Sequence, residues 1–413
     1  MNLKKLVANI LSKMPNITKW QKDFMINLFW LLFAYRGRHN FENLGRQSDY
    51  NESTFRNNYS KSFDFLSFNQ ELISQYCSEE LVIAFDPSFI SKSGKHTPGL
   101  GYFWSGCAGL AKKGLEIGGF GAVDILNNTC MHLVCKQTLL NTSSATETVL
   151  EMKKPTSGNL LTYYADLIFD LRTDLQKTSN YLAVDAYFSK KPFVDKMIEA
   201  EFIVISRFRK DVALRYKYVG PKRKGKGCPK KFDGKVNLWK LRAEHFTPII
   251  EEENWKAYEG VVYANALKRW VKVVVVHYFD ENGMIKKVHT FFSTDCKTQG
   301  TDIIIYYKGR FQIEFLYRDA KQFVGLEQGQ SRKEERIDFH FNAALTTVSL
   351  AKALYYFNTN EQERKPFSMS SVKTRYGNDL LINKLFSMFG INPKHEINKE
   401  RYYKIRDFGA IAA

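Results

Sequence analysis

Apolar positions recur along this 413-residue chain with two different periods, and the changes between them mark its regions. Over residues 1–78 they fall three to four apart, the spacing of one face of an α-helix. The longest apolar run there, "FMINLFWLLFAY" (24–35), reads as a buried helix, being well short of the roughly 20 residues a membrane span needs. Residues 40–47 and 52–61 read as two short helices about a turn at 48–51, the second capped by Asn51 or Ser53. From residue 80 the pattern becomes strand-like. "ELVIAFD" (80–86) is a continuous apolar run ending in Asp86, and "LEIGGFGAVDIL" and "TCMHLVCKQTLL" flank Asn127-Asn128 as a hairpin. Residues 158–177 return to helical spacing. "NYLAVDAYF" (180–188) is a further buried strand, ending in Asp185, followed by a helix over 189–200 and a strand, "EFIVISRF" (201–208). Periodicity lapses in "RKDVALRYKYVGPKRKGKGCPKKFDGK", which reads as an exposed basic loop. "VNLWKL", "EGVVYANA", "RWVKVVVVHYF" and "KVHTFFSTD" are strand-like again, a helix opens near 299, and the tail is helical and basic.

Strands alternating with helices in this order predict an α/β chain, a mixed sheet covered by helices. Both strand-ending aspartates then lie at the carboxyl edge of neighbouring parallel strands, where open α/β sheets place their sites. The regions run 1–78 (helical), 79–208 (first part of the sheet domain), 209–290 (basic loop and β-rich insertion), 291–355 (its last strand and helix) and 356–413 (helical tail). Lys and Arg number 61 against 43 acidic residues, a net charge of +18, which favours a polyanionic partner. A membrane surface is the rival reading, but no lipidation motif supports it. The first residues, "MNLKKLVANILSKMPN", have no small-residue cleavage site and argue against a secretory leader. Six cysteines without a CxxC pair or disulfide-like spacing suit a reducing compartment and speak against zinc.

The chemistry concentrates in "YYKGRFQIEFLYRDAKQ" (306–322). Read as one helix, it sets Tyr307, Arg310, Glu314 and Lys321 within an arc of about 60°, with Ile313, Phe315, Leu316, Ala320 and Phe323 opposite. Asp86, Asp185 and Glu314 are then three carboxylates supplied by three different elements. Oxygen donors of this kind suit Mg²⁺, and two such ions can activate an attacking oxygen and stabilise a leaving one in phosphoryl transfer. Taken singly, each has a plainer explanation: an Asp that caps a turn, or a Glu paired with Arg310 or Arg318 along a helix.

The spacing Tyr307-x2-Arg310-x3-Glu314-x6-Lys321 resembles the Y-R-E-K signature of insertion-sequence transposases of the IS4 family. "IAFDPSFISKSGK", "AVDAYFSKKPF", "VISRFRKD", the basic loop and "FFSTD" are similar to further family markers, in the same order, over roughly residues 80–355. The resemblance implies an RNase H-like mixed sheet flanked by helices, interrupted by a β-rich insertion and preceded by an N-terminal helical DNA-binding domain. It implies a DNA transposase that cuts at the ends of a mobile element and transfers the strands into target DNA, with two Mg²⁺ or Mn²⁺ ions held by Asp86, Asp185 and Glu314. Tyr307, Arg310 and Lys321 would contact phosphates near the cut. Some relatives release their ends through a DNA hairpin and stack an aromatic of the insertion on a flipped base. Trp239, Trp255 and Trp270 lie in that region here and are expected in its core.

The paired helices near the N-terminus resemble a helix-turn-helix, with Arg56 and Asn57 as candidate DNA contacts; a helical hairpin with a solvated polar face is the alternative. In the basic loop, Lys222, Arg223, Lys224, Lys226, Lys230 and Lys231 read as contacts to DNA backbone. His340, beyond the signature, is expected to pack between helices. The implied partners are double-stranded DNA, as terminal inverted repeats and target, and a second copy of the chain on that DNA. Neither a membrane nor a small-molecule substrate is implied, and the setting is cytoplasmic, at a bacterial nucleoid. Two rival functions stay open: an RNase H-like nuclease or resolvase that cuts without joining, and an inactive, transposase-derived DNA-binding protein.

Overall fold

A computed structural model describes residues 2–139, 157–221, 228–392 and 395–411. Five helices come first: α1 (Leu3–Lys13), α2 (Lys19–Ala34), α3 (Phe41–Arg46), α4 (Glu52–Asn58) and α5 (Phe65–Tyr76). Asn2, Thr18, Asn40, Asn51 and Asp64 cap them in turn, each side chain accepting the amide three residues on. These are the short polar side chains that best satisfy the free N–H groups of a first turn. Apolar α2 is buried as expected, with Leu28, Phe29 and Phe33 fully enclosed.

The sheet domain follows with β1 (Leu81–Ser91), β2 (Gly101–Ser105), β3 (Leu110–Asp124), β4 (Thr129–Gln137), α6 (Ser157–Asp170), α7 (Arg172–Leu175), β5 (Tyr181–Val184), α8 (Lys191–Glu199) and β6 (Ile203–Arg207). The insertion contributes β7 (Leu214–Lys217), β8 (Phe232–Lys235), β9 (Thr247–Glu251), β10 (Trp255–Ala264) and β11 (Arg269–Phe279), and β12 (Ile285–Ser293) returns from it. The chain ends with α9 (Gly300–Gly309), α10 (Gln312–Phe323), α11 (Glu334–Asn358), α12 (Met369–Met388) and α13 (Glu396–Arg406).

Around the site the strand order is β4-β3-β1-β5-β6, antiparallel on the β3 side and parallel from β1 to β6. It is a mixed sheet flanked by helices, consistent with the RNase H-like fold. Strand alternation sends Phe85 to one face, where it meets Tyr164 of α6, and Asp86 to the other, under α10. Strands β1 and β5 read as unbroken apolar runs because both faces are covered. Helix α11 is buried over most of its length. Its Asn342 fastens it to β4, accepting from the Cys135 amide (2.9 Å) and donating to the Cys135 carbonyl (3.0 Å).

Several elements depart from the sequence reading. Strand β1 does not stop at Asp86 but runs five residues further, paired with β3 down to Ser91–Gly114. Pro87 is tolerated because pairing with β5 has ended at Phe85, so the side of the strand it faces needs no donor. The basic segment after 209 is not wholly loop, since β7 and β8 pair within it. "VNLWKL" forms turns rather than a strand, while β2 and β9 are strands the pattern did not reveal. The insertion also makes no separate sheet: β12 pairs with β6, and β11, β10, β7 and β8 extend the same 12-stranded array.

Candidate active site

Parallel pairing of β1 with β5 matches Phe85 to Val184, so Asp86 and Asp185 emerge side by side, one residue past the last matched pair. Glu314 reaches them from α10. The expected single helix over 306–322 is two: α9 ends at Gly309 and α10 starts at Gln312. Arg310 and Phe311 keep helical dihedrals, but Phe311, Ile313 and Glu314 donate to the third residue back, a 3₁₀-like tightening. Gly309 sits at this step, where a Cβ would come within 3.1 Å of Val123. The polar stripe survives the break, because both halves still turn the same side toward the sheet edge.

Arg310 lies at the centre. One guanidinium nitrogen stands 3.2 Å from an Asp86 oxygen and another 3.4 Å from Glu314. The Tyr307 hydroxyl donates weakly to Asp185 over 3.5 Å, and its ring carries the Arg310 cation at 5.8 Å. At the far end of α10, Lys321 donates to the Phe89 carbonyl (2.7 Å) and stands 3.7 Å from Glu327. One further residue, which the sequence did not single out, holds the parts together: Tyr317, buried, donates to the Asp86 carbonyl over 2.6 Å. Its hydroxyl fits because residue 119, opposite Asp86 on β3, is glycine. No local pattern marks Tyr317, since an apolar helix face is its ordinary setting.

Burial pushes the Asp86 carboxyl up to about 7; Arg310 resists this, while the Glu314 and Asp185 charges reinforce it. Burial likewise raises Glu314 against the pull of Arg310, with Asp185 adding to the rise. One guanidinium among three carboxylates thus leaves the cluster short of positive charge, and its all-oxygen donor set is the kind that hard divalent cations take. Among the described residues, no three His, Cys, Asp or Glu side chains are spaced to hold one ion together in this arrangement. Arg310 stands between two of the three carboxylates. The donors therefore fit a divalent cation in kind.

Residues 135–350, just over half of the chain, match the transposase DDE domain. The chain belongs to that family. The matched stretch contains Asp185, Glu314 and the Tyr307–Lys321 stripe but begins after Asp86, which the register of the sheet joins to them. None of the curated proteins matches the chain.

The other sequence candidates lie apart from this cluster. On α4, Arg56 and Asn57 are exposed, Arg56 paired with Glu52 and stacked over Phe41 at 5.6 Å. Lys230 pairs with Asp233 at 3.0 Å, and Lys231 lies over Tyr263 at 5.1 Å. Lys222, Arg223, Lys224 and Lys226 fall outside the described residues. His340 packs as expected, buried, its Nε2 2.9 Å from the Gly325 carbonyl. Trp255 and Trp270 are half-buried, but Trp239 is not a core residue: it is 54% exposed. It stands in a cleft beside the Asp185 loop with Arg207, Arg209, Lys210 and Lys287, and without any acid.

Proposed function

We propose that this transposase-family chain is an active cut-and-paste enzyme of the IS4 type, which cleaves the ends of its own insertion sequence and joins them to target DNA. The observation that carries this reading is the convergence of Asp86, Asp185 and Glu314, from two parallel strands and one helix, about the single cation of Arg310. Asp86, Asp185 and Glu314 would hold two Mg²⁺ or Mn²⁺ ions, which when bound supply activation of the attacking oxygen and neutralisation of the leaving one. Arg310, released from Asp86 and Glu314, offers its planar fork to a phosphate. Tyr307 donates its hydroxyl to a neighbouring phosphate oxygen, and Lys321 supplies a point charge further along the strand.

Arg56 and Asn57 on α4, together with Lys230, Lys231 and the lysines and arginine at 222–226, are assigned to DNA contacts away from the reacting phosphate. Trp239, exposed in a cationic cleft next to Asp185, is the aromatic suited to stack on an unpaired base if release proceeds through a hairpin. Two ends must be cut and joined together, so the working form is a homodimer on DNA. No described helix is long and apolar enough to cross a membrane, and we assign the protein to the bacterial cytoplasm, at the nucleoid.

The test is incubation of a DNA fragment carrying the gene and its flanks with Mg²⁺ or Mn²⁺, for wild type and Asp185→Ala. Discrete cuts at both flanks by wild type alone are expected, with strand-transfer products from pre-cleaved ends. Cutting without joining would make it a nuclease or resolvase. Binding with no cutting by either protein would make it a DNA-binding derivative.

A further inference from the structure

On the Lys321 side of the carboxylates the fold builds a second basic surface, separate from the segment after 209. Residues 87–115 contain no Asp or Glu, but four lysines and a histidine. The loop after β1 faces the segment between α10 and α11 across a cleft of about 640 Å³. Its walls bring together Arg38, Lys92, Lys95, His96 and Arg332, with Glu327 the one acid among the lining residues. That acid is already engaged by Lys321, 3.7 Å away, so the cleft opens directly off the end of α10.

Lys92 has a structural task, donating to the Gly329 carbonyl and so tying the loop to the opposite wall. Arg38, Lys95 and Arg332 are exposed, and none of them forms an ion pair among the described residues. The cleft shares Lys92, Glu327 and Arg332 with a second cavity of about 500 Å³, whose far wall is α3 and α4 and includes Arg56. One groove therefore runs from Lys321 to the candidate recognition helix.

Arg38, Lys95 and Arg332, unpaired among the described residues, repel one another until an anion fills the cleft, while the α3–α4 wall carries Glu42 and Glu52 beside its cations, Glu52 being paired with Arg56. A single phosphate would meet only one part of such a groove, whereas a repeating phosphate backbone meets all of it. We propose that this groove carries the sugar-phosphate backbone of the element end, from the cut at Lys321 inward to α4. This rests on the transposase reading above. The contacts are charge to phosphate, so they position the DNA without reading its sequence.

The variant is Arg38→Gln/Lys95→Gln/Arg332→Gln, which leaves Lys92 and the triad in place. Its probes are the gene's flanking DNA and a short duplex of unrelated sequence. Each phosphate contact contributes a slope of about 0.9 in log affinity against log salt, so the triple variant should be shallower by about 2.7 on both probes. Between about 50 and 200 mM salt, wild type should then lose about 40-fold more affinity than the variant. A second variant, Arg38→Lys/Arg332→Lys, should keep the wild-type slope.

Ethylation interference on DNA with mapped cuts should place the lost contacts inside the element, next to the cut. Loss on the flanking side would overturn the proposed path. An unchanged slope on both probes would overturn the groove while leaving a wild type that cuts fully explained by its triad. A wild type that never cuts, yet shows the slope difference on the unrelated duplex, would remove the transposase reading and keep the groove as a DNA site.

Discussion

The contact between Gly119 and Tyr317 makes a measurable claim about how the carboxylates are held. Tyr317 lies one turn beyond Glu314 on α10 and donates to the backbone carbonyl of Asp86, so a single hydroxyl sets the separation of two carboxylates. In Tyr317→Phe the loss of one buried hydrogen bond should cost about 1 kcal/mol. In Gly119→Ala the new methyl would overlap the Tyr317 hydroxyl and lie 3.1 Å from its Cζ, and overpacking of this kind costs about 1–3 kcal/mol. The double variant removes the overlapped oxygen, leaving a contact that relaxes by a few tenths of an ångström. Its cost should therefore fall below the sum of the two by about 1 kcal/mol or more. Urea unfolding of all four proteins measures this coupling, and Mn²⁺ titration by electron paramagnetic resonance reads the site itself. Tyr317→Phe should weaken Mn²⁺ binding under conditions where the protein stays folded. Strict additivity would show that residue 119 is not glycine on account of Tyr317, and unchanged Mn²⁺ affinity would reduce Tyr317 to a packing residue.

Two further outcomes follow from charge. Arg310→Ala should strengthen Mn²⁺ binding to the DNA-free protein, by about tenfold if about 1.4 kcal/mol of competition is relieved, while lowering cleavage through loss of its proposed phosphate contact. Weaker Mn²⁺ binding would show that Arg310 supports the site rather than competing for it. Glu116, buried on β3 and accepting from Tyr164, is pushed up to about 7 by burial, against the pull of its hydrogen bonds to Tyr164 and Thr138. A raised carboxyl stabilises the fold below its unfolded value of about 4.5, and that contribution is lost as pH rises to about 7. The loss amounts to about 3 kcal/mol. Glu116→Gln keeps an acceptor for Tyr164, so its advantage over wild type should be near zero around pH 4.5 and reach about 3 kcal/mol above pH 7. An advantage independent of pH in urea unfolding would refute the shift.

Much of this architecture is local and could be read from the chain. The helical spacing of 1–78, the Asn51 cap, the Asn127-Asn128 hairpin and the apolar runs of β1 and β5 each follow from one segment burying one face or both. The Tyr307–Lys321 stripe was legible for the same reason, and a tightened turn at Arg310 did not disperse it. The extent of β1 was not legible, because Pro87 reads as a stop unless one knows that β5 has already ended beside it. Nor was the joining of the insertion to the core sheet, which depends on β12 finding the free edge of β6.

The carboxylate types and their order belong to the sequence by itself. That Asp86 stands level with Asp185, that Arg310 rests between Asp86 and Glu314, and that Tyr317 needs a glycine at 119 were decided only by the tertiary structure. Arg310 and Glu314 are neighbours along the helical turn, but Asp86 lies about a hundred residues from Asp185, Gly119 about two hundred from Tyr317, and Asp86 224 from Arg310. Periodicity records which face of an element avoids water, whereas strand register and the packing of distant side chains are settled only when the elements meet.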